Sequence, residues 1–307
     1  MKCRKQIKYL FVGLLIGFVL CFVACNSKDV LPPDFEVLID SNSYKVNTNV
    51  IFKFKGNPDQ IYFYSGEVGK KYENRQRTNA SNATNVFSFN SSVSPNNALR
   101  NLSVLLSNDF NGIMDSTSIY KASWKDISSR ITWASTSTPL FSGIIDVTAF
   151  QTERDTLYIA FKYLRDSPSL QASRWTLSNF VWNNIFPEGK IYPYNTNTND
   201  IRLAGFQALS IKGATIKWAI NSTLMINEGL STNLSSLEED WVISKAFNMS
   251  RIAPDLATPI KNTSQLITNY AYKFTSPGIY NVVFVASNVN ISGTQEVQKA
   301  LTIQITN

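Results

Sequence analysis
The sequence predicts an all-β fold arranged in sandwich or jelly-roll layers. Three observations carry that expectation. Apolar residues recur at every second position in many short runs, which is the period of a half-buried strand. Short stretches of Ser, Thr, Asn and Gly separate the runs, as turns between strands do. Helical signals are rare: Ser235-Ser236-Leu237-Glu238 has the form of a capping box, but Trp241-Val242-Ile243 behind it is β-prone.

The elements follow in order. Lys2, Arg4, Lys5 and Lys8 precede an apolar run from Tyr9 to Val23, a basic region and hydrophobic stretch of secretory-signal form. The run falls short of the roughly 20 residues that span a bilayer. Ala24 and then Cys25 close it, in the manner of a bacterial lipobox with Phe22 in place of the usual Leu. Cys25 is therefore the expected acylation site, and residues 1–24 the cleaved signal. Residues 25–34 are polar, contain Pro32-Pro33, and read as a tether. Val50 to Lys55 alternates as a first strand and stops at Gly56-Asn57-Pro58-Asp59; Ile61 to Tyr64 follows as a second, ended by Ser65-Gly66. Leu157, Ile159, Phe161 and Tyr163 share one strand face, and Ile216, Trp218 and Ile220 another. From Tyr280 to Ala286 both faces are apolar, the mark of a central strand covered on two sides. Leu301, Ile303 and Ile305 alternate with polar residues in the last strand.

Val46 to Phe54 resembles the opening strands of a polycystic-kidney-disease (PKD) type immunoglobulin-like domain, and Tyr270 to Val282, with its Ser276-Pro277-Gly278 turn, resembles that domain's closing hairpin. The expected architecture is a split PKD-like sandwich with a jelly-roll-like β domain inserted in it. The sandwich takes residues 35–66 and 209–307, and the insert 67–208.

Composition excludes several function classes. The chain has no His, so Ser-His-Asp and Cys-His nucleophile systems and His-ligated zinc are impossible. Its three cysteines are Cys3, Cys21 and Cys25, so no disulfide staples the body. Four of the 29 basic residues lie in the signal, leaving 25 against 22 acids, and no basic cluster suggests nucleic acid. A cofactor is not expected. The one conceivable metal is calcium, near Asp109, Asn111 and Asp115, although their spacing is not that of an EF-hand loop.

Gly56-Asn57-Pro58-Asp59-Gln60-Ile61-Tyr62-Phe63-Tyr64-Ser65-Gly66-Glu67, running into Gly69, Tyr72, Arg75 and Arg77, resembles a segment of a Bacteroidetes lipoprotein family that carries a domain of unknown function. Ser123 to Ser128, Asp146 to Phe150, Ile159 to Tyr163 and Trp241 to Lys245 extend the resemblance. Members often accompany SusC/SusD-type glycan importers. The resemblance implies an outer-membrane lipoprotein that faces the cell surface and serves glycan capture, and it supplies no active site.

A sugar ring stacks its C–H face on an aromatic side chain, and its hydroxyls take planar polar partners. Trp175, Trp182, Tyr192 and Tyr194, near Asn183, Asn184, Asn195 and Asn197, are the best such mixture; Trp124 and Trp133 flank Asp126 and Arg130 as a second. Packing in a core is the competing reading for each Trp. Tyr64-Ser65-Gly66-Glu67 with Tyr72, Arg75 and Arg77 forms either an Arg–carboxylate network that pins a junction of β layers or a ligand cradle. Asp109, Asp115, Asp126, Glu153, Asp155 and Asp166 show no pattern of paired catalytic acids. The expected function is non-catalytic glycan binding beside an uptake system, with adhesion to a protein partner as the alternative and a carboxylate-based enzyme behind both.

Overall fold
The computed structural model describes residues 29–97, 100–151, 155–167, 172–194, 200–213, 218–227 and 237–307. The fold is all-β, with one short α-helix, Ser116–Lys121, among the described residues. No helix among them is long and apolar enough to cross a membrane. The described residues divide into two compact units: those up to 75 with 255–307, and those within 76–254.

The first of these, the terminal unit, is a two-sheet sandwich. One sheet has the order Glu36–Leu38, Asn49–Lys55, Asn269–Lys273. The other has the order Thr258–Lys261, Gln60–Tyr64, Gly278–Asn290, Gly293–Thr306, Ser43–Lys45. Alternation places Phe52 and Phe54 of the first sheet against Ile61, Phe63, Val282, Phe284 and Ala286 of the second, all buried. Phe52 meets Phe284 edge-on at 4.9 Å, and Phe63 lies 5.0 Å from Phe284. Gly278–Asn290 is the central strand, as its two apolar faces predict. Val282, Phe284 and Ala286 point into the sandwich, while Val283 and Val285 on the other face are also buried.

The middle unit is a second sandwich, antiparallel in every described pairing. Its six-stranded sheet runs Gln207–Lys212, Glu238–Ile243, Thr156–Arg165, Leu102–Ser107, Lys125–Asp126, with Phe247–Asn248 alongside Thr156–Arg165. Its seven-stranded sheet runs Trp218–Ile220, Leu224–Asn227, Arg174–Ile185, Thr84–Ser94, Leu140–Phe141, with Ile191–Pro193 and Ile145–Asp146 as side pairings. Leu157, Ile159, Phe161 and Tyr163 share the buried face read from their alternation and pack with Phe87, Phe89, Leu177 and Trp182.

The expected unit boundaries shift. Residues 209–254 belong with the middle unit, because Gln207–Lys212 and Glu238–Ile243 extend the sheet of Thr156–Arg165, and Leu224–Asn227 pairs with Arg174–Ile185. Residues 67–75 stay with the terminal unit. Partners far apart in sequence decide both points, and local pattern does not encode them. The capping-box residues Ser235 and Ser236, and Ile216, lie outside the described residues.

Candidate functional site
The aromatic mixture expected around Trp175 and Tyr194 is packed rather than open. Trp175 and Trp182 are 1% and 0% exposed and sit inside the middle sandwich, so neither can stack on a sugar. Trp182 lies parallel to Phe247 at 4.5 Å and gives its indole N–H to Asn184 Oδ1 at 2.9 Å. Trp175 gives its own to Asn101 Oδ1 at 2.8 Å. Tyr194 is half-buried against Phe247, and its hydroxyl donates to the Asn248 carbonyl. Burial pushes that hydroxyl far above its ordinary pKa. Tyr192 packs against a small cluster of Ala83, Phe186 and Ile252. Trp124 and Trp133 are half-buried, and their indole N–H groups donate to the backbone carbonyls of Ile119 and Ser128, both at 2.9 Å. The two do not form a shared cleft: Trp124 packs with Phe110 and Trp241, and Trp133 with Phe89 and Trp175. Asn195 and Cys25 lie outside the described residues.

The acidic positions weighed for calcium hold turns. Asp109 accepts from Ser107 Oγ and the Ser123 amide, both at 2.8 Å; Asp115 caps the helix through the Ser118 amide at 2.7 Å; and Asn111 accepts from the Ile113 amide at 2.9 Å. Among the described residues, no three Asp, Glu, Cys or His side chains stand together as metal ligands would.

The segment read as a network or a cradle behaves differently. Glu67 accepts hydrogen bonds from Ser65 Oγ at 2.8 Å and from the Tyr272 hydroxyl. Arg77, in the middle unit, pairs with Glu188 at 2.9 Å. Arg75 instead lies over Tyr72, its Cζ 3.9 Å from the ring centre, and bonds the Tyr72 carbonyl through Nη1 at 3.1 Å. The expected Arg–Glu67 pairing therefore gives way to a tyrosine partner for Glu67 and an aromatic one for Arg75.

That arrangement walls a groove of about 610 Å³ on the outer face of the terminal unit's five-stranded sheet. Its floor follows from strand period two. In Gln60–Tyr64, Ile61 and Phe63 enter the core, which turns Gln60, Tyr62 and Tyr64 outward. Val285 and Ser287 on the central strand, and Thr294 and Glu296 on its neighbour, continue the floor. The rim comes from two loops stapled together. The Leu256 amide bonds Gly69 O at 3.1 Å, the Asp255 amide bonds Asn74 O at 3.2 Å, and Asp255 Oδ2 accepts the Lys71 amide at 2.9 Å. A 3-10 turn at Tyr72–Asn74 then presents Tyr72 edge-on to Tyr64 at 5.3 Å.

The groove's chemistry is mixed in a useful way. Burial raises the Tyr64 hydroxyl's pKa, while the charge of Arg75 works against it; the phenol stays neutral and can both donate and accept near pH 7. Gln60 Oε1 accepts from the Tyr62 hydroxyl at 3.3 Å and Ser287 Oγ at 3.4 Å, and neither bond uses its amide NH₂. Among the described residues of the lining, Glu296 is the one carboxylate, and it is exposed.

A family model for a domain of unknown function, DUF5017, matches residues 24–201. The chain belongs to this family. A comparison with curated proteins finds no match. The DUF5017 span contains Gln60, Tyr62, Tyr64, Tyr72 and Arg75, whereas Leu256, Val285, Ser287, Thr294 and Glu296 lie beyond it. The groove thus joins the DUF5017 segment to the C-terminal strands. Sequence reading reached Tyr64, Tyr72 and Arg75 but missed Gln60, Tyr62, Ser287 and Glu296. The available signal was the second apolar face at Val283 and Val285, which implies that something covers that side of the sheet.

Proposed function
We propose that this chain is a surface lipoprotein, acylated at Cys25 and held at the outer membrane, that binds glycan without turning it over beside a SusC/SusD-type uptake system. The single observation that carries the binding reading is the groove over Tyr62, Tyr64 and Tyr72, with Arg75 laid on Tyr72. Flat aromatic walls suit the C–H face of a sugar, and Arg75, Gln60, Ser287 and Glu296 offer donors and acceptors to its hydroxyls. The groove is open along a sheet face, which suits a chain rather than an enclosed monomer. Glycoside hydrolysis takes two opposed carboxylates, and the one carboxylate of the described lining favours binding over turnover. A tether after Cys25 would hold the body near the transporter and raise the local concentration of captured polymer.

The test is native affinity electrophoresis of the mature body through gels containing host and plant polysaccharides. At least one polymer retards the wild type, and Tyr72→Ala abolishes the retardation. If no polymer retards it, or if Tyr72→Ala and Arg75→Ala migrate as the wild type does, the groove is not a glycan site.

A further inference from the structure
The Gly278–Asn290 and Gly293–Thr306 strands pair along their whole length and turn at Ile291-Ser292, forming a hairpin that runs past the end of its neighbour Gln60–Tyr64. The tip, Asn288-Val289-Asn290-Ile291-Ser292, sets two exposed apolar side chains among polar ones. Ile291 is 92% exposed, Val289 40%, and Leu31 74%. Leu31 belongs to the tether, and its carbonyl accepts a hydrogen bond from Asn288 Nδ2 at 3.1 Å. That bond fixes the tether against the hairpin tip. From Leu31 the chain has six residues to Cys25, a reach of about 20 Å when fully extended. No Lys or Arg occurs from Ala286 to Gln298, and the nearby Asp59 spends its carboxylate on the Val289 amide at 2.8 Å.

We propose that the hairpin tip, with Ile291 foremost and Val289 and Leu31 beside it, rests in the headgroup–acyl boundary of the membrane that carries the lipid anchor. The inference rests on the acylation of Cys25. Apolar side chains at a short tether's exit gain by leaving water for that boundary, and the anchor supplies the proximity that three side chains alone could not. With no Lys or Arg in the tip, and Glu296 exposed in the same hairpin, anionic headgroups do not strengthen the contact. The occupant is thus a lipid surface, with a second copy of the chain as the alternative that the experiment can detect.

After removal of the signal, Cys25 is the one cysteine left, and acylation blocks its thiol, so an introduced cysteine is the sole free thiol. Ile291→Cys and, separately, Ile279→Cys carry a nitroxide on the full lipidated protein in phosphatidylcholine vesicles. Ile279 is 73% exposed at the opposite end of the same strand, about 40 Å away at strand rise, and serves as the aqueous reference. The expected result is a several-fold higher ratio of oxygen to nickel-complex accessibility at 291 than at 279, unchanged when phosphatidylglycerol is added. Equal aqueous exposure at both positions, with mass spectrometry showing acylated Cys25, overturns the inference and leaves the anchor intact. An unacylated Cys25 overturns both. Dipolar broadening between the 291 labels of neighbouring copies, lost on dilution with unlabelled protein, identifies self-association and also overturns it.

Discussion
Gly66 fixes where the groove wall begins. Its φ is +81°, and a Cβ there would sit 2.8 Å from the Asn281 carbonyl oxygen and 3.0 Å from the Asn281 amide nitrogen. Only a glycine lets the chain leave Gln60–Tyr64 so close to the central strand. Gly66→Ala is expected to lose about 1–3 kcal/mol of stability, read as a lower thermal midpoint. One residue on, Glu67 takes the Tyr272 hydroxyl, and burial together with that bond pushes Tyr272 up to about 12 from 10.0. The unfolded chain releases this proton near pH 10, while the folded chain keeps it. The contribution is therefore whole below pH 10 and is lost as pH rises towards 12. Tyr272→Phe should flatten the decline of the urea midpoint across that window; an unchanged slope would show that the hydroxyl carries no linkage. The buried tryptophans answer differently from the groove tyrosines. Trp182→Ala should destabilise by about 3–5 kcal/mol, whereas Tyr72→Ala, half-buried on a loop, should leave the unfolding midpoint nearly unchanged.

At the scale of the element, two strands show what alternation reveals and what it hides. Gln60–Tyr64 was readable as a strand, and its inward Ile61 and Phe63 follow from period two. Its outward Tyr62 and Tyr64 were equally visible, but their role needs Leu256, Ser287 and Glu296, which arrive from positions some two hundred residues later. Glu238–Ile243 hides more. Its three consecutive acids, Glu238, Glu239 and Asp240, are all buried, where carboxylates are ordinarily exposed. Glu239 survives burial because Trp241 Nε1 donates at 3.0 Å and the Tyr120 hydroxyl at 2.9 Å, with Lys162 at 3.3 Å and Lys212 at 3.4 Å. Burial alone would raise its carboxyl; those bonds and charges outweigh it and hold the group below its ordinary pKa. Its contribution is present above the ordinary carboxylate range and fades as pH falls through the lowered value. Glu239→Gln should cost about 1–3 kcal/mol near neutral pH and soften the acid-induced loss of stability, as chemical denaturation across pH would record.

For the whole molecule, the all-β class and the split of one sandwich between the chain's two ends were legible from the strand runs and the PKD-like segments. The unit boundary was not, because Gln207–Lys212 and Glu238–Ile243 look like any other strands until their partners are known. A fragment of residues 76–254 is expected to fold cooperatively, and one of residues 67–208 to stay unfolded, since the second lacks Leu224–Asn227 and Glu238–Ile243. Unfolding cooperativity by circular dichroism distinguishes them. The candidate site was half legible for a related reason: the DUF5017 segment supplies one wall and the C-terminal strands the other. The most direct test of the account is hydrogen exchange on the mature body with and without a retarding oligosaccharide. The account predicts slowed exchange at residues 60–64, 69–75 and 285–296. Slowing confined to residues 174–194, or none anywhere, would contradict it.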